Sequence, residues 1–163
     1  MNETIVTQSF LSFTLGDEIF ASNVSKVNEI LELTKLTKVP KSPDYLKGVI
    51  NLRGTVLPVI DTRIKFGFPE IQETVDTCII VLTLKMDGEE FPVGALVDTV
   101  REVFEASQDE ILPSVSIGSK FKSEFIEGLI KLDEQFIMLL DIDKVFTDDE
   151  LLVVKESGTN TDD

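Results

Sequence analysis

Asp61, Asp98, Asp141 and Asp143 are the side chains of this sequence best suited to paired chemistry. Two carboxylates held at different proton affinities can act as general acid and general base, as in glycoside hydrolysis. The chain contains no histidine, which removes Ser-His and Cys-His nucleophiles, imidazole-ligated metals and phosphohistidine chemistry. Asp141-Ile142-Asp143 and Thr147-Asp148-Asp149-Glu150 would attract a hard cation. Neither has the ligand ladder and mid-loop glycine of a calcium loop, and no metal or cofactor is expected. Gly118-Ser119-Lys120 ends like a phosphate loop, but Pro113 stands where its first glycine belongs. Cys78 lies in the apolar run TCIIVLTL and reads as a reduced core residue.

Arg53 remains, in the stretch GVINLRGTVLPVIDTRIKFG at 48–67. Arg-Gly sits between two apolar runs, VINL and TVLPVI, so the spacing predicts a hairpin with a guanidinium at its tip. Pro58 cannot donate to a ladder, which predicts an edge strand or a bulge there. Asp61 then serves as N-cap for a short helix at TRIKF, and Asp141 repeats the device before IDKVF, which argues against catalysis by either. LSFTL and IFASNV flank Gly16-Asp17-Glu18, while IIVLTL and EFPVGALV flank Met86-Asp87-Gly88, so both pairs read as hairpins. A helix opening at Thr147, with Glu150 three residues on, is expected to cap the fold.

The chain also repeats itself. GVINLRGTVLPVIDTRIKF at 48–66 aligns without gaps on GLIKLDEQFIMLLDIDKVF at 128–146, and VSKVNEIL at 24–31 aligns on VDTVREVF at 97–104. In the second copy Asp133 stands where the first has Arg53, so the two tips have opposite charge and could select different partners. Short strands with frequent turns indicate small barrels. The expected organisation is one β domain over 8–152, made of two subdomains at about 10–70 and 78–146 with strand exchange left open, and an acidic disordered tail at 153–163. Neither half has a sufficient core alone, so the two should pack together.

Hydrophobic residues make up 42% of the 163, enough for one compact domain, and the net charge is −15. That charge argues against nucleic acid or a membrane surface as the partner. Its distribution is uneven. Residues 26–65 hold eight basic and four acidic side chains, a balance of +4 against −19 for the remainder. Such an island suits an acidic protein partner, with scattered solvated charge as the alternative. No apolar run reaches the roughly 18 residues needed to span a bilayer, and MNETIVTQSF has no signal-peptide pattern, so a cytoplasmic protein is expected.

KGVINLRGTVLPVIDTRIKFG closely resembles the signature of the bacterial chemotaxis coupling protein family, CheW, and FTLGDEIFASNVSKVNEIL resembles the family's opening strands and short helix. The similarity runs from about Phe10 to Leu152. It implies a mainly β fold of two packed five-stranded SH3-like barrels with short helices, and an adaptor that catalyses nothing. It further implies coupling of chemoreceptor cytoplasmic hairpin tips to the regulatory domain of the histidine kinase CheA, in receptor arrays at the inner face of the membrane. Rings with other coupling-protein copies are a further implied assembly. Val27, Glu29, Gly48 and Arg53 match receptor-coupling positions. Arg53 has two readings within that role: contact with the partner, or support of the groove through a carboxylate such as Glu29. For the kinase, Leu15, Ile19, Ile30, Leu31 and Ile117 are the candidates, although the family often carries a large aromatic where this chain has Ile117. Two other functions stay open from the residues: a generic SH3-like module binding proline-rich peptides, and a carboxylate-dependent hydrolase.

Overall fold

The computed structural model describes residues 6–113 and 125–145. Ile117, the expected helix at Thr147 and the acidic tail lie outside them. Eleven strands follow in chain order: β1 (Thr7–Leu15), β2 (Glu18–Asn23), β3 (Val27–Glu32), β4 (Leu46–Leu52), β5 (Thr55–Asp61), β6 (Cys78–Met86), β7 (Glu89–Val97), β8 (Thr99–Ser107), β9 (Ile111–Leu112), β10 (Ile126–Leu132) and β11 (Gln135–Leu140). One short helix, α1 (Thr62–Lys65), follows β5, and a 3-10 turn (Ile142–Lys144) follows β11. The expected hairpins are present. Arg53 and Gly54 both have positive φ, 52° and 87°, as do Asp87 and Gly88, 52° and 77°. Two-residue loops of this hand match the twist of the strands they join.

The strands form two sheets that cut across the repeat. One is β8-β1-β2-β11-β10-β9 and the other β3-β6-β7-β5-β4. Each sheet therefore takes its leading hairpin from the other half of the sequence, with β1-β2 joining β11 in parallel and β6-β7 joining β5 in parallel. Otherwise the two arrangements match down to their irregularities. A bulge interrupts β4 between Leu46 and Gly48 and β10 between Ile126 and Gly128. Tyr45 O accepts from Asp61 N at 2.7 Å and Phe125 O from Asp141 N at 2.9 Å. Thr37 forms a lone bridge to Val49 where β9 pairs with β10 in the other sheet, which is how the sheet containing β9 comes to have six strands rather than five.

Two expectations need correction. The strand β5 is interior, not an edge. Its ladder to β7 starts only at Val59, one residue past Pro58, and the bulge lies in the neighbouring β4. Asp141 occupies an N-cap position but makes no side-chain cap bond, and the element it opens is a single 3-10 turn.

Alternation along each strand divides the core into three parts. Phe10, Ile19, Ala21, Ile130 and Leu139 fill the interior of the six-stranded sheet, while Val59, Ile71, Ile79 and Leu96 fill that of the five-stranded one. Their neighbours on the opposite strand faces, including Leu11, Phe20, Ile60, Ile80 and Leu140, form a shared core between the sheets. Strands buried on both faces read as continuous apolar runs, which explains CIIVLTL. Because each half supplies strands to both sheets, the shared core is the largest part and neither half folds around a core of its own.

Candidate functional site

The sheet β3-β6-β7-β5-β4 has β3 and β4 as its outer strands, yet the β4–β5 tip touches β3. Arg53 donates through both terminal guanidinium nitrogens to both carboxylate oxygens of Glu29, with Nη1–Oε1 at 3.2 Å and a shorter Nη2–Oε2 contact. The sheet must curl for this to happen, and the fork-to-fork pair spans its seam. The side-chain oxygen of Asn51 accepts from Gly54 N at 2.8 Å, fixing the tip from within, and Arg53 itself holds the left-handed φ that only a minority of non-glycine residues adopt. Hydrogen bonding from Arg53, then its charge, holds the Glu29 carboxyl below the usual range and raises the guanidinium further.

A pocket of about 280 Å³ opens beside the pair, lined by Asn28, Glu29, Leu52, Arg53, Thr55, Val81 and Pro92. Its rim is charged and polar while Leu52, Val81 and Pro92 make its apolar part. Thr83 Oγ1 donates to Asn28 Oδ1 at 3.0 Å on the same face. No nucleophile stands beside a base here. The arrangement can grip a partly apolar side chain and read charge at its edge.

The remaining candidates are placed differently from one another. Val27 is half-buried against the shared core. Gly48 is buried and has no surface to offer; a Cβ there would lie 2.7 Å from Thr37 O and 3.0 Å from Leu36 Cβ, so glycine lets the segment after β3 lie flat on β4. Its repeat partner Gly128 does the same beneath β9, where a Cβ would meet Ile111 at 2.6 Å. Ile30 is 46% exposed, and Leu31 is half-buried against the interior of its sheet. Leu15 and Ile19 are core residues, 0% and 6% exposed, and present no face to a kinase; their strand positions put them inside the shared core and the six-stranded sheet.

The aspartates are structural. Asp61 is fully buried, its carboxylate accepting from Arg63 N at 3.0 Å and Ile71 N at 3.2 Å, so it caps α1 and anchors the loop behind it out of reach of substrate. Asp98 and Asp143 build a device that the sequence reading missed. Asp98 Oδ2 accepts from Arg63 Nη1 at 2.8 Å and from Gly16 N at 2.6 Å. Asp143 accepts from Lys26 Nζ at 2.6 Å and Lys85 N at 3.2 Å. Each clasp ties a crossover between the sheets to the turn after a hairpin and to the tip of a leading hairpin. Arg63 and Asp143 are equivalent in the repeat, SFTLG at 12–16 aligns on VLTLK at 81–85 and so pairs Gly16 with Lys85, and Lys26 aligns one residue past Asp98, so the second clasp serves the same junction as the first with its charges reversed. The offset of 80 residues could have revealed this, since it sets Arg63 over Asp143.

The second tip has Asp133 at φ 56°, with Leu132 and Phe136 exposed beside it, so it is acidic and apolar where the first is basic. Among the described residues no group of three or more Cys, Asp or Glu side chains converges as a metal site would require, and no helix is long and apolar enough to cross a membrane.

Comparison with known proteins bears on this geometry. A family profile described as the CheW-like domain matches residues 9–150. Chemotaxis protein CheW of Klebsiella aerogenes is 36% identical over 149 residues, covering 91% of this chain and 87% of that protein. The protein of the same name from Rhizobium meliloti is 36% identical over 143 residues, covering 88% and 90%. Among solved structures, the scaffolding protein TtCheW from Thermoanaerobacter tengcongensis superposes with a TM-score of 0.78 at 28% identity, covering 90% of this chain and 99% of that one.

Proposed function

The chain belongs to the CheW-like domain family, that of nonenzymatic chemotaxis coupling adaptors, and from that premise we propose that its Glu29–Arg53 seam receives the cytoplasmic hairpin tip of a chemoreceptor while other faces hold the histidine kinase CheA. The observation that carries this reading is the bidentate pair across the seam, set beside a pocket with apolar walls. A receptor helix would lay its apolar side chains against Leu52, Val81 and Pro92, and the charged rim would set its register. Arg53 serves both suggested roles: its fork holds Glu29, and its exposed flank remains available to a carboxylate of the partner.

Val27 and Gly48 belong to this site as supports, Val27 by fixing β3 on the core and Gly48 by seating the preceding segment. Toward the kinase's regulatory domain, itself similar to a coupling protein, Ile30 and the edge around Leu31 are the contacts this fold supports, while Ile117 rests on the resemblance alone, since it lies outside the described residues. The opposite charge of the Asp133 tip supports a different partner there, including further coupling-protein copies in rings. In this role the protein works in the cytoplasm, recruited to arrays at the inner membrane face, without nucleic acid and without inserting into the bilayer.

Co-sedimentation with a receptor cytoplasmic fragment and the kinase, reading kinase activity, tests the proposal. Arg53→Glu should remove the chain from the receptor pellet and uncouple the kinase. Unchanged assembly and activation would refute the role of the seam.

A further inference from the structure

The basic island has a regular core that the coupling reading does not use. Residues 33–41 read LTK-LTK-VPK, a threefold repeat of apolar, small and lysine or of its proline variant. The structure keeps that period. Leu33, Leu36 and Val39 are half-buried, the first two against the interior of the five-stranded sheet and the third against the shared core, while Lys35, Lys38 and Lys41 are all exposed. A three-residue period is that of an extended polyproline-like path, which spaces successive lysines about 9 Å apart.

Thr37 and Val49 exchange both backbone hydrogen bonds, at 2.9 and 2.8 Å, and run antiparallel. The strip therefore lies along the outer edge of β4 with its Lys35 end toward Arg53. Lys41, at φ 60°, turns the chain at the far end, where Ser42 Oγ bonds Val39 O at 2.7 Å. None of the three lysines forms an ion pair among the described residues; Lys38 acts on Glu70 only at longer range, behind the direct Lys47 pair at 2.7 Å. Residues 33–43 contain no acid, although Glu32 and Asp44 flank them.

Resting on the coupling reading above, we infer that residues 33–41 are a cationic rail that extends the Arg53 site and takes the acidic flank of an α-helix in the receptor's cytoplasmic hairpin. A helix repeats every seven residues over about 10.5 Å, within reach of lysines about 9 Å apart on flexible stems. A narrow helix can meet the rail alone. A bilayer or a nucleic acid duplex would also face the surrounding surface, and outside residues 26–65 the chain carries −19. Screening over about 8 Å at physiological salt keeps the rail's field local, favouring the narrow ligand. Gly48 gains a specific purpose, since a side chain there would lift Leu36 and Thr37 and the rail with them.

The test is fluorescence anisotropy with a dimeric receptor cytoplasmic fragment, comparing the wild-type chain with Lys35→Gln/Lys38→Gln/Lys41→Gln, exposed positions without an ion pair among the described residues, with circular dichroism checking that the variant folds. The triple variant should bind about tenfold more weakly at about 50 mM salt and within about twofold of wild type at about 500 mM. Equal affinity and equal salt dependence overturn the rail while leaving the Arg53 seam standing. Failure of the wild-type chain itself to bind the fragment overturns the coupling reading and the rail together. Tighter binding of the wild-type chain to phosphatidylglycerol vesicles or to duplex DNA than to the fragment, lost in the triple variant, overturns the helix as occupant.

Discussion

Asp98→Ala tests how much the clasps hold the two sheets together. The substitution removes the acceptor at 2.6 Å of Gly16 N–H, which water can replace on that exposed turn, and leaves the guanidinium of Arg63, only 18% exposed, without its carboxylate. The unpaired, mostly buried cation carries most of the cost, about 2–4 kcal/mol. With a urea dependence of about 2 kcal/mol per molar, the midpoint should fall by about 1–2 M with little change in slope. Circular dichroism is the suitable probe, because the chain has no tryptophan and a single tyrosine. Arg63→Ala should cost about as much, since it leaves the Asp98 carboxylate, 21% exposed and with Oδ1 buried without a partner, only the Gly16 bond, and it also loses the guanidinium's contact to Pro69 O at 3.0 Å. The double-mutant cycle should give a coupling of about 1 kcal/mol or more. The reversed polarity of the second clasp permits a sharper test. Arg63→Asp with Asp98→Lys gives the first clasp the charges that Asp143 and Lys26 carry natively, and should recover more than half of the lost stability. A coupling near zero, or a charge-swapped chain no more stable than Asp98→Ala, would refute the view that these pairs fasten the sheets.

Gly48→Ala places a methyl 2.7 Å from Thr37 O and should cost about 1–3 kcal/mol in urea unfolding, with loss of amide-exchange protection at Thr37 and Val49; unchanged protection would refute the close-approach role. The Glu29 carboxyl is held below its ordinary value by Arg53, so the stabilisation from this group is present above the unfolded carboxylate pKa and is lost as pH falls through the folded one. NMR titration should therefore find Glu29 titrating more acid than an ordinary glutamate, and Arg53→Gln should move it upward; an identical midpoint in both proteins would show that the pair does not form in solution.

The residues of the Arg53 hairpin, its positive-φ tip and the capping role of Asp61 were legible because turn chemistry and capping are local. The repeat was legible too, since equivalent positions in the two copies carry the same strand pattern even where their charges differ. Partner strands were not. An apolar run such as CIIVLTL says that both its faces are buried without saying against what, and only the fold shows Ile79 and Ile80 facing different cores. The same limit explains Leu15 and Ile19, whose alternation fits either a core or an exposed apolar face until the neighbouring strands are known.

By itself the sequence determined that this is a β protein of two matched halves, that imidazole chemistry is absent, and that a lone arginine occupies a tight turn. Turn geometry, strand alternation and composition act over a few residues, so one chain read in order contains them. Tertiary structure alone decided that the leading hairpins change places, that Glu29 lies beneath Arg53, and that Asp98 and Asp143 fasten one sheet to the other. Those contacts join residues 24 to 117 positions apart, and their formation depends on how each sheet curls and which face it buries.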